Sequence, residues 1–144
     1  MNMTYIIDAN VSMALMVKNH PAGLGVRAWW ENCGESSVGV CWPVMHSVLS
    51  QLTSREILGE YALSPVKAGQ VLSAFMQDPR VFEISDVPVE TYRSWARVVP
   101  EKEATGIRWR NGWLVALANT LRMTLVTLDS SYQVMGVESL KVLR

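Results

Sequence analysis

The 144-residue sequence has little cysteine, no excess charge of either sign and no long apolar run. Cys33 and Cys41 do not form a CxxC pair, and no histidine-rich segment accompanies them. We therefore expect two buried free thiols rather than a structural zinc site. Thirteen basic residues balance thirteen acidic ones. This balance argues against a general polyanion binder, although it leaves room for a local basic patch.

Membrane and targeting segments are also absent from the pattern. No apolar stretch reaches the roughly 18 residues that a membrane-spanning helix needs. The first residues lack the basic region and the apolar run of a signal peptide. We therefore expect a soluble, cytoplasmic protein. Apolar residues make up 49% of the chain, which is enough for one buried core, so we expect a single domain over residues 1–144.

Short β-branched runs alternate with helical patterns along the chain. The predicted strands cover residues 5–7, 37–41, 81–84, 124–127 and 140–143. Helices are predicted at residues 11–17, 24–32, 43–52, 65–76, 89–98 and 109–122. Ser64-Pro65 is the clearest helix start, since a capping residue is followed by proline. This alternation predicts an α/β domain of three layers, with a central parallel sheet flanked by helices.

Two of the predicted strands run directly into aspartate. Asp8 follows the first strand, and Asp129 closely follows the strand at residues 124–127. Ligands gather outside the carboxyl ends of parallel strands, so both carboxylates converge if these strands are neighbours. Converging carboxylates repel each other and require a cation, such as Mg²⁺ or Mn²⁺, or a shared proton. The alternative is that each aspartate only caps the element that follows it.

The two strand ends resemble the opening and closing motifs of the PIN domain family. These motifs are Asp8-Ala9-Asn10-Val11 and Thr127-Leu128-Asp129, and they are most similar to the VapC-type toxins of bacterial toxin–antitoxin pairs. The similarity continues in the expected order through His20-Pro21 with Trp29, Ser64-Pro65 with Asp78-Pro79-Arg80-Val81, Ala104-Thr105-Gly106 with Trp109, and Leu114-Val115-Ala116-Leu117-Ala118. It therefore covers nearly the whole chain.

The resemblance implies a divalent-metal-dependent endoribonuclease that acts on single-stranded RNA, forms a homodimer and has an antitoxin partner. Four acids typically hold one or two Mg²⁺ or Mn²⁺ ions, which activate water against a phosphodiester. The first acid falls on Asp8 and the last on Asp129, with Asn10 and Thr127 in supporting positions. The third falls on Asn111. The resemblance thus implies that Asp8, Asn111 and Asp129 are the catalytic and metal-binding residues.

The second acid falls early in the helix after Pro43, where the best alignment gives Met45. A thioether is a soft ligand that Mg²⁺ and Mn²⁺ do not favour, and Asn111 offers an oxygen without charge. The protein charge at the site falls from about −4 to about −2, which disfavours a two-ion mechanism. We expect one weakly held ion and weakened catalysis. The alternative is a catalytically inactive PIN fold that binds RNA or a protein.

We expect no other acid to replace the carboxylates that are missing at Met45 and Asn111. Glu56 and Glu60 lie about three helical turns beyond Met45. Glu101 and Glu103 precede Asn111 in a loop, and nothing in the sequence requires that loop to fold back. His46 could act as a base or a ligand, although a lone histidine early in a helix is more often a surface residue.

Basic and aromatic residues also stand next to Asn111. Arg108, Trp109 and Arg110 could contact the phosphate and a base of RNA. The alternative is a solvated helix start that Trp109 anchors. Trp29 and Trp95 lie on apolar helix faces, so we expect them in the core.

Overall fold

Five parallel strands form the centre of the protein, as the sequence predicts. The computed structural model describes residues 3–103 and 105–144, and the side chain of Glu103 lies outside that description. The strands are β1 (Thr4–Ile7), β2 (Ser37–Cys41), β3 (Val81–Ile84), β4 (Thr124–Thr127) and β5 (Leu140–Val142). Their order in the sheet is β3-β2-β1-β4-β5, and all neighbours pair in parallel.

Helices connect these strands and flank the sheet. They are α1 (Ala9–Met16), α2 (Gly23–Asn32), α3 (Trp42–Leu52), α4 (Arg55–Leu58), α5 (Pro65–Met76), α6 (Val89–Val98) and α7 (Gly106–Leu121), with 3-10 turns at Gly59–Tyr61, Glu101–Glu103 and Ser130–Val134. Within the described residues, no helix is both long and apolar enough to cross a membrane.

Two helices begin earlier than the hydrophobic pattern predicts, because capping side chains precede them. The Asp8 carboxylate accepts a hydrogen bond from the Val11 backbone N–H, so α1 begins at Ala9 rather than at Val11. The Thr105 hydroxyl accepts from the Arg108 backbone N–H, so α7 begins at Gly106 rather than at Trp109. A side-chain cap satisfies backbone donors that have no partner inside the helix.

The chain order places a topological switch point at the carboxyl ends of β1 and β4. From β1 the chain continues to β2 and β3 on one side, and β4 then pairs with the opposite side of β1. Ile7 pairs with Val126, so the residues that leave the two strands emerge side by side. Sites in open α/β sheets form at such points, because the connections diverge there and leave a crevice.

A buried core holds this switch point in place. Ile6, Ile7, Leu125 and Val126 are fully buried, which is typical of strands that helices cover on both faces. The stretch of α7 from residue 112 to 118 is also buried, and it begins immediately after Asn111. Cys33 and Cys41 are buried free thiols, as the sequence predicts.

Gly112 allows α7 to approach the end of α6. A Cβ atom at this position would lie 2.5 Å from a methyl carbon of Val99, which follows α6. Valine is stiff at χ1, so this methyl group cannot rotate away easily. The absence of a side chain at Gly112 therefore sets the spacing of α7 next to Asn111.

We predict opposite effects for two glycine-to-alanine changes in helices. Gly112→Ala should lower the free energy of unfolding by roughly 1–2 kcal/mol, because overpacking outweighs the gain in helix propensity. Gly69→Ala in α5 is the matched control, since apart from its chain neighbours and the backbone of its own helix no atom lies within 4 Å of the added Cβ. It should raise stability by about 0.5–1 kcal/mol. Urea unfolding measures both, and a stabilised Gly112→Ala variant would contradict the packing argument.

Candidate active site

Asp8 is a buried carboxylate that hydrogen bonds fix from two elements. Its side chain is 5% exposed, at the point where β1 passes into α1. One carboxylate oxygen accepts from the Val11 backbone N–H at 2.9 Å. The other accepts from the Thr127 hydroxyl at the end of β4, at 2.5 Å. Asp8 is therefore oriented by its own helix and by the neighbouring strand together.

The Thr127 hydroxyl also connects Asp8 to Asp129. While it donates to Asp8, it accepts from the Asp129 backbone N–H at 3.0 Å. The Asp129 carboxylate accepts from the Ser131 backbone N–H at 2.9 Å and caps the 3-10 turn that follows. Both aspartates thus act as caps, as one interpretation of the sequence predicts. Capping does not separate them, since one hydroxyl links both residues.

The two carboxylates line a cleft of about 310 Å³ at the switch point. Asn10 from α1 and Asn111 from α7 line the same cleft. The structure therefore brings together three elements that are distant in the sequence, the two strand ends and the first half of α7. Asn111, Asp8 and Asp129 offer oxygen ligands, which hard divalent cations prefer.

Met45 does not line this cleft, in contrast to the expectation from the sequence. Its side chain is half-buried and packs against the hydrophobic core. The residues of α3 that line the cleft are Pro43, Val44, Ser47 and Gln51, which recur at helical spacing. Met45 lies about 200° around the helix from Ser47. Ser47 and Gln51 are therefore the polar residues of α3 that line the cleft together with the two aspartates.

No further acid joins the two aspartates in the part of the chain that the structure describes. Across residues 3–103 and 105–144, no group of three or more His, Cys, Asp or Glu side chains is placed to hold a metal ion. Glu56, Glu60 and Glu101 are exposed and lie outside the cleft lining, whereas the side chain of Glu103 lies outside the described residues. Two carboxylates and one amide suit one hard divalent cation better than two.

The electrostatics around the aspartates disfavour further negative charge. Burial raises the pKa of Asp8 and the charge of Asp129 raises it further, while the Thr127 hydrogen bond opposes the shift. Burial, followed by the charges of Asp8 and Asp129, also raises the pKa of the neighbouring Tyr132 phenol. Burial raises the pKa of the Cys41 thiol to about 11. A bound cation would stabilise the ionised form of Asp8.

The basic and aromatic candidates occupy different places around the cleft. Arg110 lines the cleft, and the Arg108 guanidinium donates to the Ser131 hydroxyl at 2.8 Å. The Trp109 carbonyl accepts from the Trp95 indole N–H at 2.6 Å, and their rings meet edge to face. Trp109 therefore anchors the start of α7 to α6. His46 is exposed and lies outside the cleft lining, stacked on Trp42.

The fold and the cleft define a parallel α/β protein with paired carboxylates at its switch point. The PIN domain family model matches residues 5–137, so the chain belongs to the PIN domain family. This match confirms the family that the strand-end motifs resemble.

Relatives of the VapC type share both sequence and fold with the chain. It is 27% identical over 142 residues to ribonuclease VapC41 of Mycobacterium tuberculosis, covering 96% of this chain and 97% of that protein. It is also similar to VapBC2 from Rickettsia felis bound to a promoter DNA fragment, with a TM-score of 0.74, 13% identity and coverage of 99% and 100% of the two chains. VapC20 of M. tuberculosis, a sarcin–ricin loop cleaving toxin, gives a TM-score of 0.68 at 14% identity, over 97% and 99%.

We predict that Asp8 destabilises the metal-free protein at neutral pH. The pKa of Asp8 is higher in the folded protein than in the unfolded chain. Below the unfolded-state pKa, Asp8 is protonated in both states and its charge does not lower the free energy of unfolding. As pH rises through the folded-state pKa, Asp8 must ionise while buried, and the free energy of unfolding falls. In chelator, Asp8→Asn should raise the melting temperature at pH 7 relative to the unmodified protein, and this difference should shrink towards pH 4. Each kcal/mol corresponds to roughly 2–4 °C in a domain of this size.

The pH dependence of this melting-temperature difference separates the charge of Asp8 from its hydrogen bonds. Altered hydrogen bonds to an asparagine would shift the melting temperature equally at all pH values. Asp86→Asn, at an exposed aspartate outside the cleft, is the control. Its melting temperature should follow that of the unmodified protein. A difference between Asp8→Asn and the unmodified protein that stays constant from pH 4 to pH 8 would contradict the assignment.

Proposed function

We propose that this protein is a VapC-type endoribonuclease that cleaves single-stranded RNA with one divalent cation and with weakened catalysis. The observation that carries the proposal is the composition of the cleft. Asp8, Asn111 and Asp129 line it together, and among the described residues no third acid stands beside them. The family membership and the similarity to ribonuclease VapC41 support the reaction class.

Mg²⁺ or Mn²⁺ is the cation that this donor set fits, since all three side chains offer hard oxygen atoms. Asp8, Asp129 and the Asn111 amide oxygen would hold it. When bound, the ion would lower the pKa of a water molecule and offset charge on the phosphodiester. Thr127 keeps the Asp8 carboxylate in place, and Arg110 at the cleft supplies positive charge for a phosphate group.

The charge of the site explains why catalysis would be weakened. Two carboxylates supply a charge of about −2, which compensates one divalent cation. Two divalent cations in the same cleft would still repel each other strongly. Even the loss of a residue that only orients a metal ligand commonly costs about 10- to 100-fold in affinity or activity. The absence of two charged ligands should cost at least as much.

A second candidate function is a PIN fold without hydrolysis that binds RNA or a protein. The same observation favours it, since no described group of three acidic or metal-binding side chains is available. The two functions differ in whether RNA is cleaved when Mg²⁺ or Mn²⁺ is added. Fold similarity supports both equally.

We include an antitoxin partner, a homodimer and a cytoplasmic location in the proposal. Two similar structures are complexes on DNA, VapBC2 on a promoter fragment and FitAB on the IR36 fragment. Exposed apolar side chains on and near α4 and α5 supply surface for protein contacts, with Ile57 58%, Tyr61 77% and Val66 71% exposed. Contiguous apolar surface is typical of interaction sites, and these side chains are our candidates for it.

We predict that restoring charge to the cleft restores cleavage. Asn111→Asp is nearly isosteric, and Ser47→Glu adds a carboxylate from the face of α3 that lines the cleft. The double variant should cleave single-stranded RNA with Mn²⁺ at least about tenfold faster than the unmodified protein. Each single change should help less, because the carboxylates surround the same ion. Gel analysis of an end-labelled RNA measures the rates.

Ser50→Glu is the matched control, since it adds the same charge to an exposed position of α3 outside the cleft. This variant should cleave no faster than the unmodified protein. Asp8→Ala in the double variant, or added chelator, should abolish the gain. Strong cleavage by the unmodified protein would show that the present ligands suffice. A well-folded double variant that binds no Mn²⁺ would show that these positions do not form one site.

A further inference from the structure

A second depression adjoins the carboxylate cleft, and we name it the aromatic groove. Its volume is about 600 Å³, and aromatic side chains from three helices line it: Trp42 and His46 of α3, Tyr92 and Trp95 of α6, and Trp113 of α7. Pro43, Ser47, Arg110 and Trp113 line both the groove and the cleft. The cleft and the groove are therefore adjoining parts of one surface.

Two aromatic rings in the groove, Trp42 and Tyr92, are exposed, and contacts orient Trp42 and Trp95. Trp42 is 67% exposed and Tyr92 is 56% exposed, although large aromatic side chains usually bury most of their surface. The Trp42 ring stacks on His46 with centroids 5.5 Å apart and an angle of 23° between the planes. The Trp95 indole is fixed by its hydrogen bond to the Trp109 carbonyl. Trp42 therefore provides a flat, exposed surface that His46 orients before a ligand arrives, and Tyr92 adds a second exposed ring.

The charges around the groove indicate which part of an RNA would enter it. Arg110 stands where the groove meets the cleft, so a phosphate group is attracted to that boundary. Glu83 lines the groove itself, and its carboxylate would repel a phosphate there. A neutral base fits the groove, and stacking on aromatic rings is the usual way in which proteins hold single-stranded bases.

We propose that the aromatic groove is a base-binding subsite that stacks an unpaired base of the RNA next to the cleavage position, with Trp42 and Tyr92 as its stacking residues. Arg110 holds a phosphate between this base and the carboxylate cleft. The proposal rests on the proposed function, since it assumes RNA as the substrate. It identifies a set of residues that determines how RNA is positioned and that takes no part in the chemistry.

The test measures RNA binding without cleavage. The unmodified protein, Trp42→Ala, Tyr92→Ala and Trp42→Phe are titrated in chelator against a fluorescent ten-nucleotide single-stranded RNA. Loss of one stacking ring should raise the dissociation constant by about 5- to 150-fold, which is the range for one stacked base. Trp42→Phe should recover most of the affinity. Leu24→Ala is the control, because Leu24 is an apolar side chain that is 85% exposed and lines neither the groove nor the cleft.

A second set of RNAs distinguishes base stacking from phosphate contact. Each carries one abasic site, at a different position. One abasic position should weaken binding to the unmodified protein and have no further effect on Trp42→Ala, because the ring and the base form one contact.

Unchanged RNA binding by Trp42→Ala and Tyr92→Ala would overturn the subsite. It would also be overturned if every abasic site weakened binding equally in the unmodified protein and in Trp42→Ala. Absence of RNA binding in chelator would also overturn it. If these variants dissociate an oligomer in light scattering while binding RNA normally, the groove holds a second copy of the chain instead. The proposed function is tested separately by Mn²⁺-dependent cleavage, so either proposal can fail while the other stands.

Discussion

The hydroxyl of Thr127 holds two like charges at one edge of the sheet. It donates to the Asp8 carboxylate and accepts from the Asp129 backbone N–H, and it does so from the end of β4, next to β1. The parallel pairing of β1 with β4 fixes these positions before any ligand is bound. A folded protein that holds two carboxylates so close gains stability from a cation between them. Burial and the nearby charge of Asp129 raise the pKa of Asp8 in this arrangement, while the Thr127 hydrogen bond opposes the shift.

The same arrangement limits what the site can do. Asn111 contributes an oxygen without charge, and α3 contributes Ser47 and Gln51 where an acid would complete the cluster. Chemistry with two ions needs more negative charge than Asp8 and Asp129 supply. Under the proposed function, the cleft therefore has two acids where the family resemblance implies four. The proposed RNA binding would depend less on this charge, because Arg110 and the aromatic groove lie beside the carboxylates.

Sequence patterns predicted most of the fold, because the buried strands are short β-branched runs and the helices have regular apolar faces. The strand ends also predicted that Asp8 and Asp129 would converge, and the resemblance to the PIN domain family added Asn111. All three line one cleft. Met45, which the resemblance aligned with the second acid, packs against the core and does not line the cleft, because packing sets the rotation of α3. The short helix α4 and the aromatic groove were missed, as the groove joins residues from α3, α6 and α7.

The number of divalent cations that the cleft holds tests this account most directly. Calorimetric titration of the unmodified protein with Mn²⁺ measures that number together with the affinity. The account predicts one weakly bound ion per chain, with binding lost in Asp8→Ala and in Asp129→Ala. Two tightly bound ions per chain would contradict it, because the described residues of the cleft lack the negative charge to hold a second ion.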